Sequence, residues 1–436
     1  MPNPPSQGAP APRKHWLVRA LRALAVLILA IAAAYFVADQ IASQELQKRK
    51  EAFRARFGKL ELDEFKPDRP PAAKDAGRIY RRAAGSMAGV DEELGDWSLY
   101  DALTQGPSAF AGRGARDTPE PPADEVERRV REKFAALDEA FRLVEEARPL
   151  EPATLLENYE LEGLLPASSD VLLLAHNVAA RAIDAARSGD LEAACAWLDS
   201  GVHVACTLEG DPTLMLQMAR HFALERALRS AEEVFNATDV PLPLGERYWT
   251  LLERAAGPGA FADSLAGEAG FMIAQEMPRP RIFWTINNIK TLELIEGAVS
   301  AFEQEPGAAR QAALHALAEE TRNWPVLYTC ARSQAPTVLL IARGYDMIVA
   351  RRHCFYVAVA LRNHKHTHGA YPGALEAVAV AMDAAMLADP FGGGPLRYRA
   401  EGEGFVLYSL GPNQQDDGGG AGGNRDHDDI VWTAIR

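Results

Sequence analysis

The longest uninterrupted apolar pattern in the chain lies near its start. Ala23 to Ala38 runs sixteen residues without a charge. Trp16, Leu17, Val18, Ala20 and Leu21 extend it on the N-terminal side, interrupted only by Arg19 and Arg22. With those basic side chains snorkelling, the segment reaches the length of about 20 residues that a bilayer requires. Trp16 and Tyr35 suit its two interfaces. A cleavable signal peptide is the competing reading, because Ala32-Ala33-Ala34 offers small residues at a cut site. An uncleaved anchor is favoured: no polar region precedes the Ala run, and the helical pattern continues past it. Ile41–Leu60 reads as a charged helix that could be continuous with the span.

Two Pro-rich stretches follow, at 66–75 and 106–124, and neither can hold regular structure across its prolines. Asp124 then offers an N-cap. Val130, Phe134, Leu137, Phe141 and Val144 step by four and three as a single amphipathic stripe. From Ser169 to Met277 helix follows helix. Val171–Arg187 is apolar nearly all round, which predicts burial. Ser188-Gly189-Asp190 punctuates a tight turn into Leu191–Leu208. Asp211-Pro212 should open a third helix running to about Asn236, with further helices near Gly245–Ala256 and Gly259–Met277. The turn RSGDLEAACAWLDSG resembles the hairpin of a tetratricopeptide-type repeat, but no recurrence at about 34 residues is evident. An array of α-helical hairpins or a plain bundle both fit. An array would offer a concave surface to a protein partner.

The period changes after Thr337. Val338–Arg362 predicts a long apolar helix, and Leu396–Ala400 and Phe405–Leu410 predict strands joined by a turn at Glu401-Gly402-Glu403-Gly404. The chain therefore reads as mainly α. It divides into a tail (1–22), a transmembrane anchor (23–38), a charged helix with Pro-rich linkers (39–123), an α-helical domain (124–336) and a small C-terminal α+β module (337–436).

Charge adds an orientation. Residues 1–60 hold ten Lys/Arg against three Asp/Glu, so of the net charge of −14 the remaining 376 residues carry −21. A body this acidic repels phosphate backbones, which argues against nucleic-acid binding. Arg13, Lys14, Arg19 and Arg22 abut the apolar run, whereas Lys48, Arg49, Lys50, Arg54 and Arg56 begin ten residues beyond it. That asymmetry favours a cytoplasmic N-terminus in the inner membrane, a single pass and an extracytoplasmic body.

Candidate chemistry is sparse. Cys195 and Cys206 are too far apart in one helix to bridge, and four buried free thiols are expected unless folding brings Cys330 to Cys354. His364, His366 and His368 alternate at a helix end, where solvated imidazoles beside the negative end of the dipole are expected. His176, His203 and His221 fall among apolar helical residues and read as core. No H-E-x-x-H, G-x-S-x-G or phosphate-cradling glycine loop occurs, and Glu268 has no identifiable acid or base partner in the sequence.

One stretch looks familiar. Tyr371-Pro372, Asp389-Pro390 and Tyr408-Ser409-Leu410-Gly411, with the hairpin between and a Gly/Asp loop after, resemble the C-terminal half of the major pseudopilin of type II secretion. The resemblance covers about Val338–Trp432, under a quarter of the chain. A similar ending, an N-terminal anchor and a helical middle with a Gly-Glu pair (here Gly267-Glu268) mark a group of uncharacterised bacterial envelope proteins. The resemblance implies an α+β module and a calcium-binding loop after the Leu-Gly pair. It does not extend to the anchor, which lacks the pseudopilin processing site and lies nearly 300 residues away. Assembly into a pseudopilus is therefore not expected.

The loop has a physical reading of its own. Asp416, Asp417, Asp426, Asp428 and Asp429 lie within fourteen residues among glycines, with Arg425 between them. Such carboxylates repel one another unless solvated or bound to a hard cation such as calcium. The candidate ligands are Leu410, Asn413, Asp416, Asp417, Asp426, Asp428 and Asp429, with Asn413 standing where the pseudopilins have Asp. The expected function is that of a membrane-anchored extracytoplasmic structural or interaction protein without catalysis. An extracytoplasmic hydrolase with its site in a helical groove is the alternative.

Overall fold

The computed structural model describes residues 13–95, 97–110, 120–156, 161–274, 281–380, 382–419 and 429–434. One continuous helix, α1 (Arg13–Phe57), fuses the apolar run to the charged segment after it. Its first half packs against nothing: Leu24, Val26, Leu27, Ile28, Leu29, Ile31, Phe36 and Val37 are all exposed, Leu29 at 68%. Among the described residues this is the one helix long and apolar enough to cross a membrane, a make-up that signal sequences share. Its second half turns polar on one side and docks, burying Phe53 completely.

The remaining helices follow in chain order. They are α2 (Leu62–Phe65), α3 (Ala76–Leu94), α4 (Leu99–Gln105), α5 (Ala123–Ala136), α6 (Asp138–Ala147), α7 (Leu161–Arg187), α8 (Leu191–Cys206) and α9 (Leu214–Asn236). Then come α10 (Glu246–Ala255), α11 (Pro258–Ala274), α12 (Arg281–Phe302), α13 (Ala308–Arg322), α14 (Thr329–His368), α15 (Glu376–Ala379) and α16 (Ala384–Leu387). Strands β1 (Arg397–Glu401), β2 (Gly404–Ser409) and β3 (Ile430–Ala434) form one antiparallel sheet in that order.

Two cores result. The larger gathers α3 to α10, the second half of α14 and the inner face of the sheet, with Tyr80, Met87, Val178, Phe235, Phe355 and Trp432 at its centre. The smaller gathers the end of α1, α2, α11, α12, α13 and the first half of α14 around Phe53, Ile295, Phe302 and Tyr345. Because α14 runs through both, the C-terminal module shares a core with the helical body and is not separated from it by a linker.

Several boundaries differ from the sequence expectation, each for a local reason. The long helix begins at Thr329, nine residues before Val338, and carries Pro336 within it. Pro336 is the eighth residue of the helix, where its missing N–H leaves the Arg332 carbonyl without its helical partner. The stripe from Val130 to Val144 is cut at Leu137, whose backbone (φ −85°, ψ 1°) ends α5 and begins α6. Asp124 lies inside the first turn of α5, where it suits the dipole, and Pro122 holds the cap position. The third helix begins at Leu214, two residues after Pro212, because the Asp211 carboxylate is buried and accepts the Thr154 hydroxyl. The segment 76–105, read as part of a linker region, supplies α3 and α4 to the larger core. Cys330 and Cys354 stand on the single helix α14, 24 residues and roughly 36 Å apart, so they cannot pair. All four thiols are free, with Cys330 only half-buried.

The corner that joins the two cores depends on glycine. On α11, Gly267 presses on Pro212, and Gly270 presses on the Leu60 carbonyl. A Cβ would sit 2.3 Å from the Pro212 Cβ in the first case and 2.4 Å from the Leu60 oxygen in the second. Spaced by three, the two glycines let one helix face lie directly against two backbone corners.

Candidate functional site

The motifs at 371–372, 389–390 and 408–411 meet around the hairpin, and the contacts say why those residue types are there. Asp389 is the hub. Its Oδ1 accepts the Phe391 amide (2.9 Å) and the Ser409 hydroxyl (2.7 Å), and its Oδ2 accepts the Leu410 amide (2.8 Å). A carboxylate taking two amides and a hydroxyl is well satisfied, and it fixes the end of β2 to the turn before β1. The Tyr398 hydroxyl donates to the Pro372 carbonyl (2.7 Å), while the Tyr371 ring meets Phe405 edge-on at 4.9 Å. His353 of α14 donates its Nδ1–H to the Ala388 carbonyl at 2.8 Å.

From this frame the chain enters the Asp-rich loop. Gly411 is left-handed (φ 65°), as is Gln414 (φ 56°), and Gly418 and Gly419 follow at φ 75° and 70°. Glycine is required at 419, where a Cβ would lie 2.8 Å from Val406 and 2.9 Å from the Tyr408 ring. The first half of the loop is thus folded back onto β2. Asp416 accepts the Tyr408 hydroxyl (2.9 Å) and the Gly418 amide (3.0 Å), and those hydrogen bonds hold its carboxyl below the usual range. Asp417 accepts the Asn413 amide at 2.9 Å.

Asp429 enters from the far end, just before β3, and is 7% exposed. Its Oδ2 accepts the Gly419 amide at 2.8 Å, joining the close of the loop's first half to the residue before β3. Its Oδ1 is sealed from solvent and lacks a well-formed hydrogen bond from the described residues. Burial pushes this carboxyl up, the Gly419 and Asp417 amides oppose it, and the Asp417 and Asp416 charges add to the rise.

The structure therefore brings Asp416, Asp417 and Asp429 into electrostatic reach, with Asn413 bonded to Asp417 and Leu410 held by its amide on Asp389. Asp426 and Asp428 lie outside the described residues. Among the described residues no group of three or more His, Cys, Asp or Glu side chains stands together as a metal site. Two charges were missed in the sequence: Arg397 faces Asp416 at 3.6 Å, and Arg399 donates to the Gly418 carbonyl at 2.5 Å. Arg425 is thus not the sole counter-charge to the loop. Strand period was the available signal, because the antiparallel register Arg397↔Tyr408 puts Arg397, Arg399, Val406 and Tyr408 on the loop-facing side.

Compared with known proteins, the chain matches no family model, no curated protein and no solved structure. Function has to be argued from the residues.

The histidines illustrate this. His203 is fully buried, accepts the Tyr80 hydroxyl at Nδ1 (2.7 Å) and donates to the Leu150 carbonyl (3.0 Å). His176 and His221 each donate Nδ1–H to the carbonyl one turn earlier, Leu172 and Gln217 respectively. Burial pushes His203, His221 and His353 down to about 4, so all three are neutral structural members near pH 7. His364 and His368 fall within α14, four residues apart, with their rings stacked at 4.1 Å. They share one exposed face of the last turn, and His366 points elsewhere.

Glu268 has a structural role that the sequence did not show. Its Oε2 accepts the Leu214 amide at 2.8 Å, capping α9 from the neighbouring helix. Burial lifts its carboxyl from 4.5 to about 7, with the Leu214 hydrogen bond opposing. A folded value above the unfolded one means that the folded state holds the proton more tightly. The resulting stability is full below pH 4.5 and is lost as pH rises through about 7. The loss should amount to about 3 kcal/mol. Melting of Glu268→Gln, whose amide oxygen can still accept from Leu214, should lack this slope. A gap between variant and wild type that does not widen from pH 5 to 8 would remove the assignment.

Proposed function

We propose that this protein is a single-pass, membrane-anchored scaffold of the bacterial envelope, its body outside the cytoplasm and its C-terminal pseudopilin-like module steadied by calcium. The observation that carries the reading is the make-up of α1. One helix is bare and apolar through its first half and bonded to the body through its second. Arg49 pairs with Glu293 at 3.0 Å, Arg56 pairs with Glu303 at 2.8 Å, and Phe53 is buried between them. A rigid stalk of this kind sets a body at a fixed height and angle on a bilayer, which suits a structural or interaction role.

Catalysis draws no support from the site chemistry. The buried histidines are committed to backbone carbonyls, and the cavity described below has no carboxylate or histidine in its lining. Calcium is supported by the buried Oδ1 of Asp429 and by two further carboxylates within electrostatic reach. Asp429, Asp417 and the Leu410 carbonyl would hold the ion, with Asp416 released from Tyr408 as a further donor. A hard dication supplies charge that the arginines only partly provide.

Two measurements test the reading. A reporter active only outside the cytoplasm, fused after Arg436, should be active and sediment with membranes. A silent reporter reverses the orientation, and a soluble one shows cleavage. Melting of the whole chain should shift by about 2.7 kcal/mol at a hundred times the dissociation constant of calcium. Magnesium should substitute poorly, because it demands a tighter octahedron. Asp429→Ala should abolish the shift, and identical melts in calcium and chelator would leave a loop held by hydrogen bonds and arginine alone.

A further inference from the structure

The contacts between α1 and α12 fix a register. Arg49 meets Glu293 and Arg56 meets Ser300, so seven residues along one helix match seven along the other in the same direction. The two helices run parallel with an offset of 244 residues. Extended downward, that offset sets Arg281, the first residue of α12, level with Val37 near the end of the apolar run. The α12 sequence there is Arg281-Ile282-Phe283-Trp284, a cation followed by apolar and aromatic residues, the composition that favours the boundary between hydrocarbon and water.

At this level a cavity of about 310 Å³ opens between α1, α11 and α12. Ser43, Gln47 and Lys50 line it from α1, and Arg281, Trp284 and Thr285 line it from α12. Ser43 lies roughly 9 Å above Val37 along the helix, within or just above a headgroup layer some 5–8 Å deep. Lys50 is higher, but side chains on a helix lean toward its N-terminus, so the ammonium reaches down toward the bilayer. Among the described residues, neither Lys50 nor Arg281 forms an ion pair. Below the cavity, Phe36 and Leu29 lie seven and fourteen residues before Ser43, on the same face of α1, and are 63% and 68% exposed, leaving an apolar track that leads into the membrane.

We propose that this cavity binds the phosphate headgroup of an anionic phospholipid, with Lys50 and Arg281 on the phosphate and the acyl chains lying along α1. The proposal rests on the reading of α1 as a membrane span. Two cations without ion-pair partners among the described residues, hydroxyl and amide groups, and a tryptophan at the interface match a phosphodiester that enters from the bilayer. A net −14 protein gains something further from such a site, because it concentrates positive charge where an anionic surface would otherwise repel the body.

The test uses the full chain in detergent, with native mass spectrometry counting retained lipid. Phosphatidylglycerol and phosphatidylcholine are offered in equal amounts, with and without millimolar inorganic phosphate. Wild type should retain phosphatidylglycerol at least tenfold over phosphatidylcholine, and inorganic phosphate should not displace it. Lys50→Gln with Arg281→Gln should lose that preference, while Lys48→Gln, an exposed lysine outside the cavity, should keep it. Equal retention by the double variant overturns the site. Displacement by inorganic phosphate overturns the lipid as its source. Carbonate extraction run alongside separates the two readings: a chain that stays in the pellet but shows no lipid preference keeps its anchor and loses this site.

Discussion

Replacing Trp432 with alanine should destabilise the protein by about 3–5 kcal/mol, the range for deleting a large buried aromatic. Trp432 is 1% exposed and stands at the centre of β3. Its indole stacks on Phe355 of α14 at 5.3 Å and meets Phe235 of α9 edge-on at 5.8 Å. Arg362 lies over the Phe235 ring at 3.4 Å and donates to the Phe235 carbonyl at 2.8 Å. Removing the indole therefore opens a void that three elements border. Each is held by other contacts, so collapse into the void would be incomplete.

Trp432→Phe should cost far less. The indole N–H has no hydrogen-bond partner among the described residues, so a phenyl ring restores most of the volume and removes a buried donor. The consequence for the loop is direct, since Ser409↔Ile430 is the last pair of the β2–β3 ladder and Asp429 precedes it. Hydrogen exchange should show β3 and the Gly419 amide losing protection together in Trp432→Ala and keeping it in Trp432→Phe. Protection lost in β3 alone would mean that Asp429 is held by something other than the strand.

The parts of this fold that were legible in the sequence are those with a strong period or a strong punctuation mark. The unbroken run Ala23–Ala38, the Gly189-Asp190 turn and the Gly402 hairpin all depend on nearest neighbours, and the structure has them where the pattern put them. The mainly helical body and small antiparallel sheet follow for the same reason. What was not legible depends on partners distant in sequence. Ala76–Leu94 carries a local apolar stripe of Tyr80, Ala83, Met87 and Val90 that went unread between the Pro-rich stretches; the bond from Tyr80 to His203, 123 residues away, is what the sequence could not show. The expected helix from Val338 extends back through Pro336 to Thr329 because Ala331, Ala335 and Val338 are buried against the smaller core. The Asp-rich loop was visible as composition, but Tyr408, Arg397 and Arg399, which hold its first half, lie on strands whose register had to be known first. Glu268 was singled out without a role, since its acceptor function depends on an amide 54 residues away.

Arg310→Ala should be as damaging as the loss of Trp432, for an electrostatic reason. Asp346 of α14 is fully buried, and Arg310 of α13 is 4% exposed. Arg310 donates Nη1 to Asp346 Oδ1 at 2.8 Å, and Gln311 donates to Oδ2 at 2.6 Å. The same guanidinium donates twice to the Gln304 carbonyl, at 2.9 and 2.6 Å, and stacks on Phe302 at 4.4 Å. One side chain thus ties the end of α12, the start of α13 and the middle of α14. Burying two ions costs several kcal/mol each in desolvation, and their attraction repays it only while both are present. Removing the cation leaves a carboxylate in an apolar core with Gln311 alone, which should cost about 3–5 kcal/mol. Removing both charges by Arg310→Met with Asp346→Leu should recover most of that loss, since the desolvation cost disappears with the attraction. Thermal melts of the two single variants and the double variant in detergent provide the check. A double variant at least as unstable as the sum of the singles would show that the hydrogen bonds to Gln304, and not the charge pair, hold this junction.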